Sequence, residues 1–132
     1  MHLAKRLTDI FFLAGLLITV GCTGLGTPVT VKSLEQGERA IHLKAGSFEF
    51  NPNNIKIQGP GPLTLVVENI ADIEHNITIK NPHGLVLKSV DLPAKETTSI
   101  PLELPANGKY TFYCDKPFHS TFGMKGQIQV GS

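Results

Sequence analysis

From Glu38 onward, apolar and polar residues alternate with a period of two. That is the period of strands with one buried face, not of helices. Ile41, Leu43 and Ala45 alternate with His42 and Lys44, and Phe48 and Phe50 stand on either side of Glu49. Ile55 and Ile57 flank Lys56, and residues 63 to 68 form a nearly continuous apolar run. His75, Ile77 and Ile79 alternate with Asn76, Thr78 and Lys80; Leu85, Leu87 and Ser89 alternate with Val86 and Lys88. Residues 97–103, 109–113 and 127–130 complete the pattern. Between these runs lie turn formers: Asn51-Pro52-Asn53, Gly59-Pro60-Gly61-Pro62, Asn81-Pro82-His83-Gly84 and Asn107-Gly108. Pro60, Pro62, Pro93 and Pro105 break any helix laid across them. About eight short strands at this spacing predict an all-β sandwich or barrel, with a short turn at Ala71 to Glu74.

The first 37 residues follow a different pattern. Lys5 and Arg6 precede an apolar run from Ile10 to Val20, interrupted only by Gly15 and Thr19. The run is too short for a bilayer span, which takes about 20 residues, and has the length of a signal-peptide core. It ends Ile18-Thr19-Val20-Gly21-Cys22. A small residue before a Cys at this point resembles the bacterial lipobox, in which the Cys is acylated and becomes the mature N-terminus. Thr19 departs from that pattern, where Leu is usual. We therefore expect a signal peptide over residues 1–21, a lipid at Cys22 and a flexible tether over 22–37 rich in Gly, Pro, Thr and Ser. The folded domain is expected over 38–132. An ordinary signal peptide cut slightly later and an uncleaved anchor are the alternatives.

Charge adds little. The whole chain is formally +1. Loss of residues 1–21 leaves ten of its twelve basic and ten of its eleven acidic side chains. No basic run points to nucleic acid. Cys22 and Cys114 are the two cysteines, and a disulfide would have to join the leader to the last loop.

The chemistry concentrates near the C-terminus, where Cys114, His119 and Met124 follow one another with four residues between each pair. Alternation puts Tyr110, Phe112 and Cys114 on one face of their strand, pointing inward. The loop after it must bring His119 and Met124 back, with Pro117 stiffening it and Gly123 and Gly126 letting it bend. His75 opens a strand whose alternate positions are core-like. Taken singly, a Cys is usually a small buried hydrophobe and a Met core filler. Together, a thiolate, two imidazoles and a thioether form the ligand set of a blue-copper electron-transfer site. His42, in an outward position, and His83, in a turn, are expected at the surface.

The sequence resembles the cupredoxins, the small blue-copper proteins that include plastocyanin, azurin and auracyanin. The matching pieces are Phe48-Glu49-Phe50-Asn51-Pro52-Asn53-Asn54-Ile55, then His75-Asn76, then Gly108-Lys109-Tyr110-Thr111-Phe112-Tyr113-Cys114 with its loop. The resemblance covers most of residues 40 to 131, and the loop spacing is most like that of auracyanins. It implies a Greek-key sandwich, one type 1 copper ion held by His75, Cys114, His119 and Met124, and an Asn76 that ties the two ligand segments together and reaches the Cys sulfur.

Four protein ligands leave no open position for a substrate, which argues against catalysis. Oxidase and reductase domains need further His ligands such as His-x-His pairs, and dinuclear copper sites need a second loop Cys; neither is in the sequence. The expected role is one-electron transfer on the outer face of a bacterial membrane, the alternative a copper-delivery protein. The electron is expected to pass through His119, ringed by Pro117, Phe118 and Phe122, to a weakly docked redox partner such as a cytochrome or a membrane oxidoreductase or oxidase complex. The competing reading of Phe118 and Phe122 is that they cap the core. Lys116 and Lys125 beside the loop would favour an acidic partner.

Overall fold

The computed structural model describes residues 24–31 and 39–131. Lys5, Arg6, the apolar run, Cys22 and residues 32–37 of the expected tether lie outside the described residues. Among the described residues there are ten strands: β1 (Val29–Val31), β2 (Ala40–Gly46), β3 (Glu49–Asn51), β4 (Asn54–Ile57), β5 (Gly61–Asn69), β6 (His75–Lys80), β7 (Val86–Leu92), β8 (Thr97–Leu104), β9 (Gly108–Tyr113) and β10 (Lys125–Val130). One sheet runs β1-β4-β10-β9-β6-β7 and the other β3-β2-β5-β8. Both mix parallel and antiparallel pairs, and together they form the expected Greek-key sandwich.

The predicted alternation is what fills the space between the sheets. Ile41, Leu43, Ala45, Leu63, Leu65, Val67, Ile100 and Leu104 come from the smaller sheet. Ile55, Ile57, Ile77, Ile79, Tyr110, Phe112, Ile128 and Val130 come from the larger. Phe50 and Phe112 meet edge-on across the gap, 5.4 Å between ring centres, a geometry that suits the quadrupoles of the two rings.

Two expectations are corrected. Leu85 and Leu87 do not point inward: Leu85 is 66% exposed, and the inward side chains of β7 are Val90 and Leu92. The cause is the pairing with β6, which sets Leu92 opposite His75 and Val90 opposite Ile77. Ile79 pairs with Lys88 but Lys80 with Val86, so Leu87 is the extra residue of a bulge. The second correction concerns the tether. Within it, Val29–Val31 pairs in parallel with β4. Gly26 is held at both ends, its N–H donating to Asn53 Oδ1 (2.7 Å) and its carbonyl accepting from Asn54 Nδ2 (2.9 Å). This part of the segment belongs to the folded domain.

Candidate metal centre

Antiparallel pairing of β6 with β9 sets Thr78 opposite Tyr113. The register carries the start of β6 and the end of β9 to the same end of the sandwich, so His75 and Cys114 arrive together. The polypeptide then loops from Asp115 to Gly123 and returns along β10. The return is laced by backbone bonds between the candidate ligands themselves. The Cys114 N–H donates to the Met124 carbonyl (3.0 Å), and the Met124 N–H donates to the His119 carbonyl (3.0 Å). Bonds between nearer residues in the loop, from the His119 N–H to the Lys116 carbonyl and from the Phe122 N–H to the Phe118 carbonyl, fix its turns. Met124, Cys114 and His75 are fully buried, and His119 is half-buried.

The donors converge. Among the described residues, the group able to hold a metal is His75, Cys114 and His119, with one donor atom of each within 4.8 Å of the others. The two Nδ1 atoms are 3.1 Å apart, and His119 Nδ1 is 3.4 Å from the free Cys114 sulfur. With the Nδ1 atoms unprotonated and the Cys114 thiolate formed, the lone pairs at this distance repel, and a shared cation removes the repulsion. Burial, and then the neighbouring His119, hold the His75 imidazole below its usual pKa, which favours the neutral, metal-binding form. Thiolate suits Cu(I) and imidazole suits both copper states, so the set fits one type 1 copper ion.

Asn76 reaches the Cys114 sulfur, as the resemblance implies, and it does so through its backbone. The Asn76 backbone N–H, not its side-chain amide, donates to Cys114 Sγ, at 3.4 Å. Its side chain turns the other way, with Nδ2 donating to Ser89 Oγ (3.2 Å) and Asp91 Oδ1 (3.3 Å), and Oδ1 accepting from Thr78 Oγ1 (2.8 Å). Asp91 in turn takes Lys116 Nζ at 3.2 Å, and Lys116 also reaches Glu74 at 2.7 Å. Lys116 therefore ties the ligand loop to the strands carrying His75 and Asn76. It is already paired with two acids, so it is not a free positive charge for a partner. These bonds raise the Lys116 pKa, and those from Asn76 and then Lys116 lower that of Asp91.

Two positioning residues were not anticipated. Asn69 is buried, and its amide donates to the carbonyls of Ile73, Leu92 and Pro93 while its Oδ1 accepts from Ala71 N–H. It pins the turn that leads into His75. Phe48 is the other. It takes the second place of the two-residue β2–β3 turn with φ at +63°, where Gly or Asn is usual. Its ring stands edge-on to His119 at 5.0 Å and to Phe122 at 5.3 Å. Phe118, also at positive φ, is 71% exposed, and Phe122 is 60% exposed. The two loop rings therefore do not cap the core; with Pro117 they are exposed apolar residues on the loop that carries the half-buried His119, and Phe122 meets it through the Phe48 ring. His42 and His83 are exposed, as expected.

Fold and donor cluster together define a type 1 copper-binding β-sandwich. The chain belongs to the copper-binding proteins of the plastocyanin/azurin family, which match residues 38–131. No curated protein matches the sequence. Among solved structures it is similar to a dithionite-reduced auracyanin from Roseiflexus castenholzii, at 19% identity and TM-score 0.62, over 73% of this chain and 100% of that one. It is similar also to the metal-binding domain of the Cu(I)-exporting P-type ATPase CopA of Streptococcus pneumoniae D39, at 21% identity and TM-score 0.58, over 81% and 100%. A multi-copper oxidase from Pediococcus acidilactici shares 14% identity at TM-score 0.59, over 74% of this chain and 27% of that one. Identities this low speak to the fold, and one fold hosts several activities.

Proposed function

We propose that this protein is a one-electron carrier on the extracytoplasmic face of a bacterial membrane, anchored by a lipid at Cys22. The observation that carries the reading is the closure of the donor set. His75, Cys114 and Met124 are fully buried, and the candidate ligands on the loop are bonded to one another through the backbone. When bound, copper supplies the Cu(II)/Cu(I) couple. The protein's part is to hold two nitrogens and two sulfurs where both oxidation states are tolerated, so that little moves when an electron arrives. The Asn76 N–H donated to the sulfur tunes the potential. His119 is the only candidate ligand that is not fully buried, and the apolar surface around it is the place where a redox partner docks weakly.

A copper-delivery protein needs ligands that exchange. Repeated chemical reduction and oxidation of the loaded protein in the presence of a Cu(I) chelator separates the two. A carrier keeps its copper through successive cycles at its full visible absorbance. Loss of metal to the chelator on each reduction would overturn the carrier reading in favour of delivery.

A further inference from the structure

The place where the N-terminal segment joins the domain sets how an anchored molecule stands on its membrane. β1 runs parallel to β4, and β4 parallel to β10, whose first residue, Lys125, directly follows Met124. The N-terminal segment therefore enters at the end that holds the donor cluster and runs away from it. Gly24 lies in a shallow cleft of about 310 Å³ whose other walls include Phe48, Asn53 and Phe122. Gly26, two residues on, is fixed to Asn53 and Asn54.

Cys22 is two residues before Gly24. Two residues reach at most about 7 Å, whereas the nine-residue β5 is about 30 Å long. A lipid on Cys22 would therefore be tied within that reach of Gly24, which lies at the copper end. Leu25, Phe48, Phe118 and Phe122 are exposed at that end, between 40% and 71%. Phe48 and Phe118 are held there by left-handed backbone that a bulky side chain rarely adopts. A short anchor and outward-turned apolar side chains at one end of a sandwich suit a lipid surface.

We infer that the copper end is the membrane-facing end of the anchored protein, with Leu25, Phe48, Phe118 and Phe122 resting on the bilayer surface. The inference rests on acylation of Cys22. The redox partner that meets this face over His119 is then one seated in the same membrane; a soluble partner on this face is the competing occupant, and it requires that end to point away from the lipid.

The chain contains no Trp, so single-Trp reporters are clean. The acylated full-length variants Phe118→Trp and Leu85→Trp are bound to phosphatidylcholine vesicles, with Leu85 marking the opposite end of β6 and β7. Emission is compared between vesicles with brominated and unbrominated acyl chains, so quenching by copper cancels. Phe118→Trp is expected to lose emission in brominated vesicles while Leu85→Trp keeps it, and Phe122→Trp serves if Phe118→Trp fails to fold. Protein that floats with the vesicles but shows no loss from either loop reporter, or equal loss from Leu85→Trp, overturns the orientation and leaves the anchor standing. Protein that does not float with the vesicles overturns the anchor, and the orientation with it.

Discussion

The backbone amide of Asn76 donates to the Cys114 sulfur across 3.4 Å, and it can do so because the Asn76 side chain is committed elsewhere. That side chain is held by Ser89, Asp91 and Thr78 on the neighbouring strand and its own. The bond to sulfur is thus a backbone property that side-chain bonds position. Asn76→Ala keeps the N–H but strips a buried network, which costs about 1–3 kcal/mol of stability. We expect a lower melting temperature together with a shifted midpoint potential in Asn76→Ala. Asp91→Asn, at an exposed ion pair, should leave the melting temperature close to wild type. An Asp91→Asn variant as unstable as Asn76→Ala would make the exposed acid, not the buried amide, the support.

The aromatic surface over His119 makes its own prediction. Phe122→Asp and Phe48→Gly should slow electron exchange with a protein partner while leaving the visible spectrum of the loaded protein unchanged. Gly accepts the positive φ of position 48, so the second variant removes the ring without straining the turn. Stopped-flow kinetics read the rate; a changed spectrum in both variants would mean that the rings shape the ligand geometry instead.

Gly126 follows the ligand loop, and a Cβ there would drive into the Phe112 ring and come within 2.5 Å of the Asn53 carbonyl. Phe112 is fully buried and Asn53 is backbone, so neither yields cheaply. Overpacking of this kind costs typically about 1–3 kcal/mol. Thermal melting of Gly126→Ala should show that loss, and an unchanged melting temperature would contradict the packing described.

His75 sets a pH dependence in the metal-free protein. Its folded-state pKa is lowered from 6.5, by burial first and by His119 second. The unfolded chain therefore binds the proton more readily. The corresponding stability is fully present above about 6.5 and is lost as pH falls from there through the lowered value. Melting of metal-free wild type should drop over this range, with a shallower drop in His75→Phe. Parallel curves for the two proteins would remove His75 as the cause.

Much of the site was legible because its signals are short and local. The spacing of Cys114, His119 and Met124 is visible in one loop, and period-two alternation correctly turned Cys114, Tyr110 and Phe112 inward. The same alternation put His75 on the core side. What escaped notice depends on pairing or on backbone shape. Which side chains of β7 face inward is set by its partners on β6, Val90 opposite Ile77 and Leu92 opposite His75, and the alternation of β7 by itself does not reveal it. Phe48 and Phe50 alternate around Glu49, yet a left-handed turn swings the first ring out of the core and over His119. β1 is three residues long and gains its place from β4, not from its own pattern. Lys116 read as a free charge because its acids, Glu74 and Asp91, lie 42 and 25 residues away. Asn69 lacked any signal beyond being a polar residue at the end of an apolar run.

The central claim is that Cys114 Sγ, flanked by two imidazoles, holds copper as a thiolate. The visible and EPR spectra of the copper-loaded protein, beside those of Cys114→Ser, test it most directly. An intense sulfur-to-copper charge-transfer band in wild type that vanishes in Cys114→Ser is the predicted result. Stoichiometric copper binding without that band, or a band that survives the substitution, would contradict it.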